Sequence, residues 1–150
     1  MNIALATDHA GFTHKEMLKA YLLEQGHEVV DCGAYVRDSE DDYPVFMKAA
    51  AEKVANGSCA RAVIFGGSGQ GEAMVANRVQ GVRAAVYYGG PLEIVTLSRE
   101  HNDANILSFG ARFLSPEEAC DAVDAWLETS FGGEERHARR ITAIDGVDAQ

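Results

Sequence analysis

The chain has 150 residues, is 47% hydrophobic and 24% charged, and carries a formal net charge of -10. That size and balance suit one soluble globular domain, residues 1–150, with a core of its own. The acidic balance excludes a general nucleic-acid binder, which needs a broad basic surface, but leaves room for a small phosphorylated ligand held by two or three cations.

Periodicity predicts strands alternating with helices. Residues 2–7 form a short apolar run, read as a buried strand. Residues 13–25 place Met17, Leu18, Tyr21 and Leu22 at helical spacing, and Gly26 stops that helix. A second strand follows at 28–32, then a charged loop at 37–42, and Pro44 opens the next helix at its first position. Residues 61–65 make a third strand and run into the glycine-rich stretch at 66–71 and a helical segment at 73–79. A fourth strand is expected at 82–87, with Gly89-Gly90-Pro91 turning into a helix that ends near His101. The fifth strand is 105–109. Ser115-Pro116-Glu117-Glu118 reads as a capping box opening a helix through Trp126 and Leu127. After Gly132-Gly133 a last helix covers about 134–143, and residues 144–150 are expected to be a frayed tail. Such alternation implies a parallel sheet covered on both faces, with ligands collecting at the carboxyl ends of the strands.

Cys32, Cys59 and Cys120 are odd in number and contain no Cys-x-x-Cys pair, so they read as reduced thiols of a cytoplasmic protein. No signal peptide precedes the first strand, and no apolar run approaches the roughly 18 residues that span a bilayer.

Each strand end carries polar groups with two readings. Asp8-His9 after the first strand is an acid–imidazole pair at the sheet edge, or a helix-capping Asp beside a solvated His. Gly66-Gly67-Ser68-Gly69-Gln70-Gly71 after the third strand is an anion site for a phosphate or an enediolate oxyanion, or a tight turn. The stretch lacks the Gly-Lys-Ser/Thr ending of a Walker loop. Glu72 stands within reach of whatever that loop binds, or serves the helix dipole. His101 is an acid–base candidate, or part of a C-cap with Asn102 left-handed. Arg136 and Arg140, four apart on one helix face, suit a phosphate dianion, or make surface ion pairs.

Taken together, DHAGF at 8–12, DYP at 42–44, GGSGQGE at 66–72, AN at 76–77, SREHNDAN at 98–105, GAR at 110–112 and RHARR at 136–140 resemble ribose-5-phosphate isomerase type B. The resemblance spans about residues 2–141, and seven motifs in order make it specific. It implies a Rossmann-like three-layer α/β/α sandwich with a five-stranded parallel sheet and a C-terminal helix. It implies a homodimer or dimer of dimers with active sites at the interface, and ribose 5-phosphate converted reversibly to ribulose 5-phosphate without metal or other cofactor. Many members carry a cysteine base at the end of the third strand; here that position is Gly66. A second subgroup uses a glutamate after the glycine loop, so the base falls to Glu72. The resemblance further assigns ring opening to His101 with Asp8, and the oxyanion to the loop N–H groups, including those of Gly67, Gly69 and Gly71. Ser68 shuttles protons, Tyr43 and Asn102 bind sugar hydroxyls, and His9, Arg136 and Arg140 hold the phosphate, joined by Arg112 from the partner subunit.

Three rival readings stand beside this one. The same chemistry could act on erythrulose 4-phosphate, allose 6-phosphate or galactose 6-phosphate, with the loops at 33–43 and 87–92 setting pocket length. The chain could instead be a noncatalytic phosphosugar-binding protein, for which Glu72, His101 and Asp8 together are superfluous. A nucleotide-binding protein is disfavoured, because the glycine loop follows the third strand rather than the first.

Overall fold

The computed structural model describes residues 1–146. The elements in chain order are β1 (Asn2–Thr7), α1 (Phe12–Glu24), β2 (Glu28–Asp31), α2 (Tyr43–Ala55), β3 (Arg61–Gly66), α3 (Gln70–Ala76), β4 (Ala84–Tyr87), α4 (Glu93–Asn102), β5 (Ile106–Gly110), α5 (Pro116–Glu128) and α6 (Glu135–Asp145). All strand pairs are parallel, in the order β2-β1-β3-β5-β4. The expected three-layer α/β/α sandwich is the observed one.

Strand alternation sorts the core into two halves. Ile3, Leu5, Val63, Phe65, Leu107 and Phe109 point to one face and pack with Leu18 and Leu22 of α1, Val95 of α4 and Trp126 of α5. Ala4, Ala6, Ala62, Ile64 and Ile106 point to the other, against Met47, Ala50 and Ala51 of α2 and Ala76 of α3. Of the four residues read as the apolar stripe of α1, Leu18 and Leu22 are buried and Tyr21 packs at the edge, but Met17 is exposed. The capping box of α5 forms: Ser115 Oγ accepts the Glu118 N–H at 3.2 Å, and the Glu118 carboxylate accepts the Ser115 N–H at 2.7 Å. No helix among the described residues is long and apolar enough to cross a membrane.

Besides one-residue shifts at other ends, and β4 beginning at Ala84 rather than at 82, four boundaries differ from expectation. Tyr43, not Pro44, is the first residue of α2, and Asp42 precedes it as N-cap. Helix α3 starts at Gln70 and stops at Ala76, so it is drawn back into the glycine stretch; Gly69, at φ 76, supplies the turn that lets it begin there. The left-handed residue closing α4 is Asp103 (φ 45), not Asn102, and Arg99 Nη1 holds its carboxylate at 2.7 Å. Residues 144 and 145 belong to α6 rather than to a frayed tail, because Arg83 grips the Asp145 carboxylate at 3.0 Å. The rest of that tail, 147–150, lies outside the described residues.

Candidate active site

The chain steps from β1 outward to β2 and then crosses back to β3 on the other side of β1. The segments leaving β1 and β3 therefore part at their carboxyl ends and open a crevice. A cavity of about 370 Å³ lies there, walled by Asp8 from the end of β1, Gly67, Ser68, Gly71 and Glu72 from β3–α3, Tyr43 from the start of α2, and Arg112 and Phe113 from the end of β5.

Glu72 is the most buried carboxylate lining this cavity. It sits in the first turn of α3 and is 4% exposed. Its carboxylate lies directly over the Cα of Gly66: a Cβ placed there would stand 1.9 Å from Oε1 and 2.6 Å from Oε2. Burial pushes the Glu72 carboxyl above its ordinary value, with the Asp8 charge adding to the effect. Backbone N–H groups of Glu72 itself and of Gly69, and the Arg112 guanidinium, oppose the rise. A carboxylate whose pKa is raised toward neutrality is a better proton acceptor, and such groups cluster at active sites.

The glycine loop is pinned from β5. Gly66 O accepts the Ala111 N–H at 2.8 Å, Gly67 O accepts the Arg112 N–H at 3.2 Å, and Ser108 Oγ donates to Gly69 O at 2.6 Å. Those bonds occupy carbonyls on the β5 side. Ser68 Oγ accepts the Gln70 N–H at 3.4 Å. The guanidinium of Arg112 closes over Gly67, 3.1 Å from a Cβ built on it, and the Tyr43 hydroxyl lies 2.7 Å from one built on Gly71. Arg112 therefore lines the cavity of its own chain, because the segment after β5 folds back over the loop that β5 holds.

Asp8 and His9 combine both readings made of them. Asp8 Oδ1 accepts the N–H groups of Ala10 at 2.8 Å and Gly11 at 3.3 Å, so it shapes the entry to α1 while facing the cavity. His9 is partly exposed but not free, because its Nδ1 lies 2.7 Å from Asp41 Oδ1. That hydrogen bond, chiefly, raises the His9 pKa, with the Asp8 charge assisting and Arg112 opposing. Donor atoms of Asp8, His9 and Asp41 lie within 4.8 Å of one another. The 2.7 Å contact between His9 and Asp41 ties the trio into a hydrogen-bonded charge network.

Six expected site residues do not line the Glu72 cavity: His9 and Gly69 adjoin lining residues in the chain, whereas His101, Asn102, Arg136 and Arg140 lie on other elements. His101 ends α4 and stacks on His137 of α6 at 4.3 Å between ring centroids. Asn102 borders a separate cavity of about 340 Å³ beside β4, with Arg83, Ser98 and Ile144. Arg136 and Arg140 are exposed on α6, and Arg136 pairs with Glu134 at 2.9 Å. Phe113 and Asp41 were not singled out in the sequence. Phe113 directly follows a strand-end motif, which is a usable signal; Asp41 is one acid in an acidic run and gives none.

The sequence pattern of the Ribose/Galactose Isomerase family matches residues 3–144. Ribose-5-phosphate isomerase B of Mycolicibacterium paratuberculosis is 40% identical over 144 residues, covering 96% of this chain and 89% of that protein. Ribose-5-phosphate isomerase B of Escherichia coli K12 is 38% identical over 146 residues, covering 97% and 95%. The solved structure of the Clostridium thermocellum ribose-5-phosphate isomerase B superposes with a TM-score of 0.94 at 40% identity, over 99% of this chain and 98% of that one. The Mycoplasma genitalium counterpart, crystallised with bound ribulose 5-phosphate, gives 0.93 at 36% identity, over 99% and 97%.

Proposed function

This chain belongs to the ribose/galactose isomerase family, and from that premise we propose that it interconverts ribose 5-phosphate and ribulose 5-phosphate with Glu72 as the base. The observation that carries the reading is the buried Glu72 carboxylate, displaced upward in pKa and aimed into a cavity with Asp8, Ser68 and Arg112. On the open-chain aldose, Glu72 takes the C2 proton. The C–H electron pair becomes the C1=C2 bond and the carbonyl pair moves onto O1. Glu72 then returns the proton to C1, while the O2 proton leaves and O1 is protonated. One carbon is oxidised as its neighbour is reduced, so the step balances with no external oxidant. Loop N–H groups facing the cavity stabilise the oxyanion, each such donor being worth on the order of 10²–10³-fold. Tyr43 binds a sugar hydroxyl, and Ser68 relays protons between O1 and O2.

His9 and Arg112 approach the phosphate from this chain. His101, Asn102, Arg136 and Arg140 reach the same substrate from a second copy, in a homodimer or a dimer of dimers whose active sites lie at the interface. Two features support that arrangement: the absence of these four residues from their own chain's cavity, and the exposed apolar side chains Met74, Tyr88, Leu92, Ile94 and Phe113 on the segments that follow β3, β4 and β5, of which Phe113 lines the cavity itself. In that setting His101, with Asp8, opens the furanose ring. The free thiols Cys32, Cys59 and Cys120 support a cytoplasmic setting.

The test is incubation with ribose 5-phosphate in D₂O, followed by proton NMR with no metal or nucleotide added. Ribulose 5-phosphate should appear, with deuterium entering at the exchanged carbon. Lack of conversion and exchange, there and with allose 6-phosphate and erythrulose 4-phosphate, would leave a phosphosugar binder.

A further inference from the structure

Residues 37–42 are an acidic surface run in which Asp38, Glu40 and Asp42 are exposed. Asp41 alone turns inward, its side chain 7% exposed, and it makes one contact: Oδ1 to His9 Nδ1. Its Oδ2 is buried with no hydrogen-bond partner among the described residues. Burying a carboxylate on a single hydrogen bond is costly unless the partner bears the opposite charge. A carboxylate can only accept, so Nδ1 carries the hydrogen, which leaves Nε2 to face outward.

We propose that Asp41 is a positioning residue for phosphate recognition: its buried carboxylate fixes the His9 ring and keeps it charged, so that Nε2–H donates to the substrate's phosphate. This rests on reading His9 as a phosphate ligand. The charged groups facing His9 are Asp41 and Asp8, which favour its protonation, and Arg112, which opposes it. Burial, and to a smaller extent Arg112, disfavour the imidazolium; the Asp41 hydrogen bond is the largest influence and tips the balance toward the charged ring, keeping two cations in one site.

The experiment measures KM and kcat for ribose 5-phosphate against pH in the wild type, Asp41→Asn and Glu40→Gln. It adds nitrogen-15 NMR titration of His9 with and without inorganic phosphate. In Asp41→Asn, KM should rise about three- to tenfold near pH 8, approach the wild-type value below about pH 6, and leave kcat within about twofold. The His9 midpoint should fall, and the phosphate-induced shift of its resonance should shrink. Glu40→Gln removes an equal charge from the same run and should behave as wild type. An unchanged His9 midpoint in Asp41→Asn, or a KM rise equal at all pH values, overturns the proposal. So does a wild-type midpoint at or below 6.5, which needs no variant to fold. A His9 resonance indifferent to phosphate in an active wild type also overturns it. Should the wild type fail to isomerise any sugar phosphate, the functional reading falls, while the His9 titration still decides whether Asp41 holds its charge.

Discussion

Replacing Gly66 by alanine is the most direct test of the base assignment that leaves Glu72 itself untouched. The backbone at Gly66 is outside the left-handed region, so alanine adds no conformational strain there. The added methyl would stand 1.9 Å from Glu72 Oε1 and 2.0 Å from its Cδ. Non-bonded carbon–oxygen contacts sit at roughly 3.3 Å, so the carboxylate must retreat by about 1.4 Å. It is the free end of a flexible side chain, so the fold yields cheaply and Tm should change by no more than a few degrees. Catalysis does not yield cheaply: a misplacement of about 1 Å is worth on the order of 10²-fold, and a positioned base contributes about 10²–10⁴-fold. We therefore expect kcat to fall by about 10²–10³-fold, with KM within about threefold because the phosphate ligands are untouched. A coupled assay for ribulose 5-phosphate, alongside a melting curve, reads both quantities. A variant with kcat within threefold of wild type would refute the claim that this carboxylate, in this place, moves the proton.

Glu72→Gln should abolish turnover while retaining phosphate binding, and the acid limb of the wild-type kcat profile should lie above pH 4.5, because burial raises this carboxyl. The sign for stability follows: the buried charge costs nothing below about pH 4.5, where both states are protonated, and destabilises the fold progressively as pH rises through the raised pKa. Glu72→Gln should accordingly melt higher than wild type at neutral pH and level with it at low pH, as read by calorimetry. The His9–Asp41 pair has the opposite sense, its contribution being full below pH 6.5 and lost as pH climbs through the raised His9 pKa; the Tm gap between wild type and Asp41→Asn should narrow on going from pH 6 to 9. Arg140→Ala should raise KM well above its effect on kcat. If sites are shared between copies, the inactive Glu72→Gln chain and the high-KM Arg140→Ala chain, mixed and refolded together, should yield activity with the wild-type KM, and mixing that leaves only the high-KM activity would count against shared sites. Ser115→Ala, which removes the side-chain half of the α5 capping box, should cost about 1 kcal/mol and lower Tm by about 2–4 °C.

Much of the fold was legible because β1 and β3 carry uninterrupted apolar runs and β5 is interrupted only by Ser108, all three being buried on both faces, and because Ser115 to Glu118 states its capping geometry outright. Helix α3 was misplaced because glycine disfavours helix; bonds from Ser108 and the β5 backbone fix the loop so that the helix starts regardless. Asp145 looked like tail because its partner, Arg83, is 62 residues away. At the site, Asp8, Ser68 and Glu72 could be found by looking at strand ends. Asp41 could not, because nothing local distinguishes the one acid that turns inward from the three that do not. Gly66 was visible as a departure from the family pattern, but only the coordinates show why it matters: any side chain there would occupy the volume that the Glu72 carboxylate fills.

If the separation of His101, Asn102, Arg136 and Arg140 from the Glu72 cavity is closed by a second copy, as proposed, chain concentration becomes a variable of catalysis. On the proposed arrangement each bound sugar phosphate bridges two copies, so substrate adds to the free energy that joins them and association tightens by mass action. Dilution would then silence the enzyme before it unfolds it, with specific activity falling at low protein and recovering as substrate is raised.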